Sequence, residues 1–329
     1  MLIGNCAGVL SPLGDPPLYM GYTNGVKFGF TFQHLYKVFL VANGYILVVF
    51  GLIDLFNAWT YRKAKRIPKA QQYKLTSCEE KYDLSSALPI QWHGLYHGVF
   101  LILIIGTVLF KGFDIPSKWS EYVQELILLI ITIVCICFDA VWTNQSLGQW
   151  WQRNYPTRVE PVAEVIVIFV GLFFTMSAPI TILSNINLQL GPKLLFFFSG
   201  IFAALLDNAP VYISFAASAA GRYNITVDQS NSNGFLSTLF TKHESDAIIT
   251  MRAISAGSVL MGACTLLGNA PNMIVALMAT RYTYRVNNSL RQIEQIPVYH
   301  LETIGFIRFM ITSCLILTLI FVFIALLML

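Results

Sequence analysis

Leu194–Leu206 reads LLFFFSGIFAALL, Asp207-Asn208-Ala209-Pro210 follows, and Val211–Ala220 reads VYISFAASAA. Each apolar arm is too short to cross a bilayer, which takes about 20 residues of helix. Pro210 brings no N–H, and the Asp207 carboxylate is expensive in hydrocarbon. The economical solution is a re-entrant hairpin that enters to mid-depth, turns at 207–210 and leaves on the same side. Such irregular backbone survives in a membrane only where protein or a water-filled cavity surrounds it.

The rest of the chain supports a membrane setting. Of 329 residues, 56% are apolar and 12% charged, with a mean hydropathy of +0.63. Soluble domains carry about 25% charged residues, so this chain cannot make a fully water-facing surface. Its apolar runs are continuous rather than alternating, which favours helices over a barrel and predicts an all-α integral membrane protein. Spans are predicted at 34–60, 94–111, 122–143, 161–184 and 301–328. Regions 1–25 and 246–280 are apolar but interrupted by Gly, Pro, Asp or Asn. Met1 leads into Gly4, Gly8, Pro12 and Gly14, unlike a cleavable signal peptide. The longest polar stretches, 61–93, 221–245 and 281–300, read as loops or short surface helices. The six cysteines have no metal-ligand spacing, and Cys135 and Cys137 point to different helix faces.

Charge bias orients the spans. Arg62, Lys63, Lys65, Arg66, Lys69, Lys74 and Lys81 make loop 61–83 cytoplasmic. Counting outward puts 112–121 outside and 144–160, with Arg153 and Arg158, inside. A hairpin at 194–220 keeps 185–193 and 221–245 external and returns Arg281, Arg285 and Arg291 to the inside. A full crossing there would strand those arginines outside. The N-terminus is then cytoplasmic, in a multi-pass protein of the inner membrane.

The two interrupted regions match. Gly8-Val9-Leu10-Ser11-Pro12-Leu13-Gly14-Asp15-Pro16-Pro17 aligns with Gly262-Ala263-Cys264-Thr265-Leu266-Leu267-Gly268-Asn269-Ala270-Pro271 at four identical positions of ten, and Ser11/Thr265 and Asp15/Asn269 keep their chemistry. The predicted topology runs the two segments in opposite directions. Paired discontinuous helices of inverted direction meet at mid-membrane in inverted-repeat transporters. There the glycines permit an unwound backbone and the prolines start the next half-helix.

Asp207-Asn208-Ala209-Pro210 and Met261–Asn272 resemble the citrate-transport and sodium/proton antiporter branch of the ion transporter superfamily, with NhaD-type antiporters and arsenite permeases as relatives. Gly8–Pro17 resembles that family's first-repeat motif. Arg153-Asn154-Tyr155 and Pro161–Val165 are similar to the segment before its second-repeat helix. The resemblance implies a scaffold plus a transport domain, each repeat giving one hairpin and one broken helix. On that plan 1–60 is the end of the first repeat and 61–93 a cytoplasmic loop. The second repeat fills 94–329, with hairpin 194–220, broken helix 246–280 and final helix 301–328. The family places a hairpin ahead of Gly14-Asp15-Pro16-Pro17, so the chain reads as shortened at its start by about 150 residues if the repeats are of equal length.

The expected ion or substrate ligands are Asp15, Asp207, Asn208, Asn269, Ser11, Thr265, Gly14, Gly268 and Asn272, with sodium placed at Asp207, Asp15 and Asn269. Two close carboxylates do not both ionise easily, so protons and a cation can compete for one site. Sodium/proton antiport is therefore the first expectation. Citrate or other carboxylate transport is the second, and a non-transporting fragment or subunit the third. The nearest cations in sequence to the broken-helix motifs are Lys27, Arg252 and Arg281. No paired His motif, Ser/His/Asp grouping or phosphate loop points to an enzyme. No cofactor and no nucleic acid is expected; the expected partners are the transported solute, the lipid and a second copy in a homodimer. Asp54, Asp139, Glu164 and His93 read as interfacial or capping residues. His97 carries a proton-relay alternative, and Arg252 and Arg308 can snorkel or pair with a carboxylate.

Overall fold

The structure is a computed structural model. It describes residues 2–64, 95–112, 122–155, 159–185, 189–225, 234–269, 271–272, 275, 283–287, 293–297 and 303–328. The chain forms two compact units, residues 1–74 with 162–329, and residues 75–161.

The first unit opens with two short helices, α1 (Leu2–Gly8) and α2 (Pro16–Thr23), followed by the long α3 (Phe30–Ala64). In the second unit, α4 (Tyr96–Gly112), α5 (Val123–Trp142) and α6 (Leu147–Asn154) follow. The chain then returns to the first unit with α7 (Glu160–Asn185), α8 (Pro192–Leu205), α9 (Asn208–Gly221), α10 (Phe235–Lys242) and α11 (Glu244–Gly262). A β-hairpin of β1 (Thr283–Asn287) and β2 (Ile293–Pro297) and a final helix α12 (Thr303–Met328) complete it.

The helical expectation holds, with one correction. The stretch 281–300, read as loop or surface helix, contains an antiparallel pair with Thr283 opposite Pro297 and Asn287 opposite Ile293. Its strands, TYRVN and IEQIP, mix β-branched or aromatic residues with polar ones, a composition that suits strand pairing better than helix.

Among the described residues two helices are long and apolar enough to cross a bilayer, Phe30–Thr60 and Val123–Trp142; shorter apolar helices lie at Tyr96–Phe110, Phe174–Leu183, Pro192–Leu205 and Ile311–Ala325. Their outward faces are greasy. Leu126, Leu129, Ile130, Ile133 and Val134 on α5 are all exposed, and so are Leu47, Val48, Leu52 and Leu55 on α3. Patches of this size on a soluble monomer would drive association, whereas hydrocarbon solvates them without cost. The chain is a helical membrane protein.

In the first unit the core is organised by α11. Nearly every residue from Ala253 to Gly262 is buried, and most are small: Ala253, Ser255, Ala256, Gly257, Ser258. Small residues let helix backbones approach closely in a membrane. A Cβ on Gly257 would press on the Phe196 carbonyl oxygen and lie 2.5 Å from Ser199 Oγ, so α8 rides directly on α11. Phe196 stacks on Phe321 of α12 at 4.3 Å between ring centroids. On the other side of the break, Tyr212 of α9 is fully buried, with its ring against Gly21 of α2.

In the second unit Asp139 ties three helices. Its Oδ2 accepts the Trp150 indole N–H from α6 at 2.6 Å, and Oδ1 accepts the Tyr96 hydroxyl from α4. The His97 ring stands 3.4 Å away and 3.5 Å from Cys135 Sγ. A capping box between Ser146 and Gln149 starts α6, satisfying N–H groups that would otherwise be orphaned.

Gly257→Val places branched carbons into the Phe196 backbone and is expected to cost about 1–3 kcal/mol. Gly44→Ala, where nothing lies within 4 Å of the added carbon, should leave stability unchanged. Thermal unfolding in detergent measures both, and equal midpoints would contradict the close packing of α8 on α11.

Candidate functional site

Three chain breaks converge inside the first unit. The first, between α1 and α2, spans 9–15. The second, Leu206–Asp207, separates α8 from α9. The third begins after Gly262, and helix is regained at Pro271–Asn272. At about 1.5 Å per residue, helices such as α8 and α9, of 14 residues each, cannot span a bilayer alone.

The glycines explain how the breaks pack. A Cβ on Gly8 would lie 2.5 Å from the Gly14 oxygen, and one on Gly14 would strike Gly8 in turn. In the other segment, Cβ atoms on Gly262 and Gly268 would meet Gly268 O at 2.9 Å and Gly262 O at 2.6 Å. Each break therefore folds back so that its two glycines touch. Neither Gly14 nor Gly268 has a positive φ, so close approach, rather than a left-handed backbone, is what demands glycine here.

Asp15 lies at the centre, 3% exposed. Asn269 donates its amide N–H to Asp15 Oδ1 at 2.6 Å, and Asn208 donates to Asp15 Oδ2 at 3.1 Å. One carboxylate thus joins the first break, the α9 start and the third break. Asn208 also donates its backbone N–H to Gly268 O at 3.0 Å, pinning the 207–210 tip to the third break. Asn269 and Asn208 are 1% and 0% exposed, yet Asn269 Oδ1 and Asn208 Oδ1 have no hydrogen-bond partner among the described residues. A buried acceptor left unmet costs about 1–3 kcal/mol.

The other sequence-selected residues divide by role. Thr265 is spent on structure: its hydroxyl donates to Ala204 O at 2.8 Å and accepts from Gly268 N at 2.9 Å. Asn272 closes the third break by donating to Gly262 O at 3.0 Å and Thr265 O at 2.9 Å. Ser11 takes part through its backbone, its carbonyl accepting from Gly14 N at 3.0 Å. Thr31 caps the freed Leu10 carbonyl at 3.0 Å. Asp207 is the N-cap of α9, its Oδ1 accepting from Ala209 N at 2.9 Å. Among the described residues neither Asp15 nor Asp207 forms an ion pair with Lys or Arg.

Sequence reasoning missed Asn5. This buried residue on α1 accepts from Asn269 and donates to Asn272, each at 2.5 Å. An amide inside an apolar run was the available signal. Of the weaker candidates, Asp54 is exposed and Asp139 is the packing node of the second unit. The side chains of Glu164, His93 and Arg308 lie outside the described residues.

Among the described residues, both helix starts beside Asp15 lack free first-turn backbone donors. In α2, Pro16 and Pro17 have no N–H, and Leu18 and Tyr19 donate back to Asp15 O at 3.1 and 3.3 Å. In α9, the N–H groups of Asn208 and Ala209 are engaged as above, Pro210 has none, and Val211 donates to Asp207 O at 3.5 Å. Helix N-termini ordinarily attract anions through such groups; these two are closed. Among the described residues, the backbone of these two helix starts therefore offers a ligand no free N–H, while the Asp15 carboxylate and the Asn208 and Asn269 side-chain oxygens are acceptors.

A family model described as "Putative citrate transport" matches residues 1–329. No curated protein and no solved structure matches the chain.

The cap geometry is testable by itself. Asn caps helices as well as Asp, whereas Ala forfeits about 1 kcal/mol. Asp207→Asn should unfold at the wild-type temperature and Asp207→Ala measurably lower. Equal destabilisation by both would place the value of Asp207 in its charge rather than in its cap.

Proposed function

The chain belongs to this citrate-transport family, and from that premise we propose that it moves citrate or a related carboxylate across the membrane together with a cation held at Asp15. The observation that carries the reading is the polarity of the site. Two buried amides meet the buried Asp15 carboxylate, their own oxygens are without a partner among the described residues, and the backbone N–H groups at the adjoining helix starts are engaged or replaced by proline. Such a set of oxygens suits a hard cation, sodium being one that prefers oxygen ligands, and it repels a bare carboxylate. A polyanionic substrate is accommodated once the cation has neutralised the carboxylate that repels it.

Sequence reasoning ranked sodium/proton exchange first, and the family description reverses that order in favour of citrate. The cation site belongs to both readings. What differs is whether the carboxylate travels with the ion or a proton travels against it.

Alternating access needs a symmetric frame, and several features support one. Both broken segments use the same glycine-on-glycine fold, six residues apart in each. Leu236 N donates to Asn24 O at 3.0 Å, which supports a common membrane face for the α2 end and the α10 start, as an outward-opening hairpin at 194–220 requires. Tyr223 at the α9 end donates to Asp246 near the α11 start at 2.8 Å, placing those ends together as well. On this reading the N-terminus is cytoplasmic, the membrane is the cell's inner membrane, and 94–329 is one repeat following the end of another.

Proteoliposomes containing the protein should accumulate citrate when a sodium or proton gradient is imposed. Asp15→Asn, which keeps the shape and removes the charge, should lower that uptake by at least 100-fold, the loss of a tightly held ion ligand. Full citrate uptake by Asp15→Asn would rule out this site. Sodium/proton exchange in the wild type without citrate uptake would instead favour antiport.

A further inference from the structure

We propose that Asn5 is a positioning residue, which holds the Asn269 amide with its oxygen turned to the ligand. The inference rests on the cation reading above and adds a residue that the family resemblance does not mark.

The argument is one of hydrogen-bond direction. An amide side chain has a donor end and an acceptor end, and its neighbours decide which way it faces. Asn272 has one end against two carbonyls, Gly262 O and Thr265 O. Carbonyls only accept, so that end is the NH2, and Asn272 Oδ1 faces Asn5. Asn5 must then present its own NH2 to Asn272 and its oxygen to Asn269. Asn269 consequently points its NH2 at Asn5, and both hydrogens are used, one on Asn5 Oδ1 and one on Asp15 Oδ1. The remaining atom, Asn269 Oδ1, is buried and without a partner among the described residues.

The orientation therefore passes from the unwound backbone of the third break, through Asn272 and Asn5, to the Asn269 oxygen. Without Asn5 one hydrogen of the Asn269 amide loses its acceptor. The amide is then held by Asp15 alone, and it can turn to offer N–H where the cation needs oxygen. Asn5 need not touch the ion. Its repeat counterpart, 254 positions on by the Gly8/Gly262 register, is Val259, so the device is present once and makes the two halves of the site unequal.

The test is a double-mutant cycle on citrate uptake by the full chain in proteoliposomes, comparing wild type, Asn5→Ala, Asn269→Ala and the double variant across sodium and citrate concentrations. Loss of a group that orients a metal ligand costs about 10–100-fold in affinity. Asn5→Ala should raise the half-saturating sodium concentration about tenfold and leave the maximal rate near wild type. In the Asn269→Ala background it should have no further effect, because no amide remains to be oriented. Asn5→Asp keeps an acceptor for Asn269 and should recover part of the affinity. A half-saturation within twofold of wild type in Asn5→Ala, or effects that multiply in the double variant, would overturn the proposal. A purely structural role would lower the maximal rate or the folded yield and leave the half-saturating concentration alone. If wild-type uptake proves independent of sodium and of protons, the cation reading fails separately. The same cycle read on half-saturating citrate then decides Asn5: non-additive effects retain it and multiplicative ones reject it.

Discussion

Everything around the site follows from one carboxylate placed where lipid cannot reach and water is scarce. Asp15 has two oxygens, and each is met by an amide from a different part of the chain: Asn269 at 2.6 Å and Asn208 at 3.1 Å. A carboxylate buried in a membrane protein costs several kcal/mol unless it is met in this way. The requirement draws the first break, the α9 start and the third break to one point. It also explains the glycines. For Asn208 to donate its backbone N–H to Gly268 O, the backbone near 268 must come close to Ala203 O, where a Cβ on Gly268 would sit 2.7 Å away.

The polar groups are nevertheless spent economically. Freed carbonyls at Leu10, Ala204, Gly262 and Thr265 are each met by a hydroxyl or an amide. These contacts hold the breaks in shape. Among the described residues, the oxygens of this cluster left without a partner are the two amide oxygens of Asn208 and Asn269. On the proposed reading, one bound cation or proton neutralises Asp15 and removes its repulsion of a negatively charged carboxylate, which would couple two solutes without requiring them to share ligands.

Much of this was legible in the sequence because polar residues are conspicuous in apolar runs. Asp15, Asn208, Asn269 and the prolines stand out against their neighbours, and the Gly8–Pro17 and Gly262–Pro271 register pairs them across 250 residues of chain. The helical class followed from the length and continuity of the apolar runs. What stayed hidden depends on direction and contact. Asn5 was overlooked because its repeat counterpart is an apolar valine. The structural employment of Thr265 needed the position of Ala204 O. The strands at 283–297 were masked by arginines that served the topology argument. The loss of N–H donors at the α2 start was readable from Pro16-Pro17, and only with the helix start in place does it argue against a bare anion.

The central claim is that a carboxylate and a cation pass this site in the same direction. Simultaneous influx of radiolabelled citrate and radiolabelled sodium into proteoliposomes, with internal pH followed in the same vesicles, tests it most directly. The account predicts that citrate and a cation, sodium or proton, enter together in a fixed ratio and that Asp15→Asn abolishes both fluxes. Sodium entering as protons leave, at a rate indifferent to citrate, would contradict it.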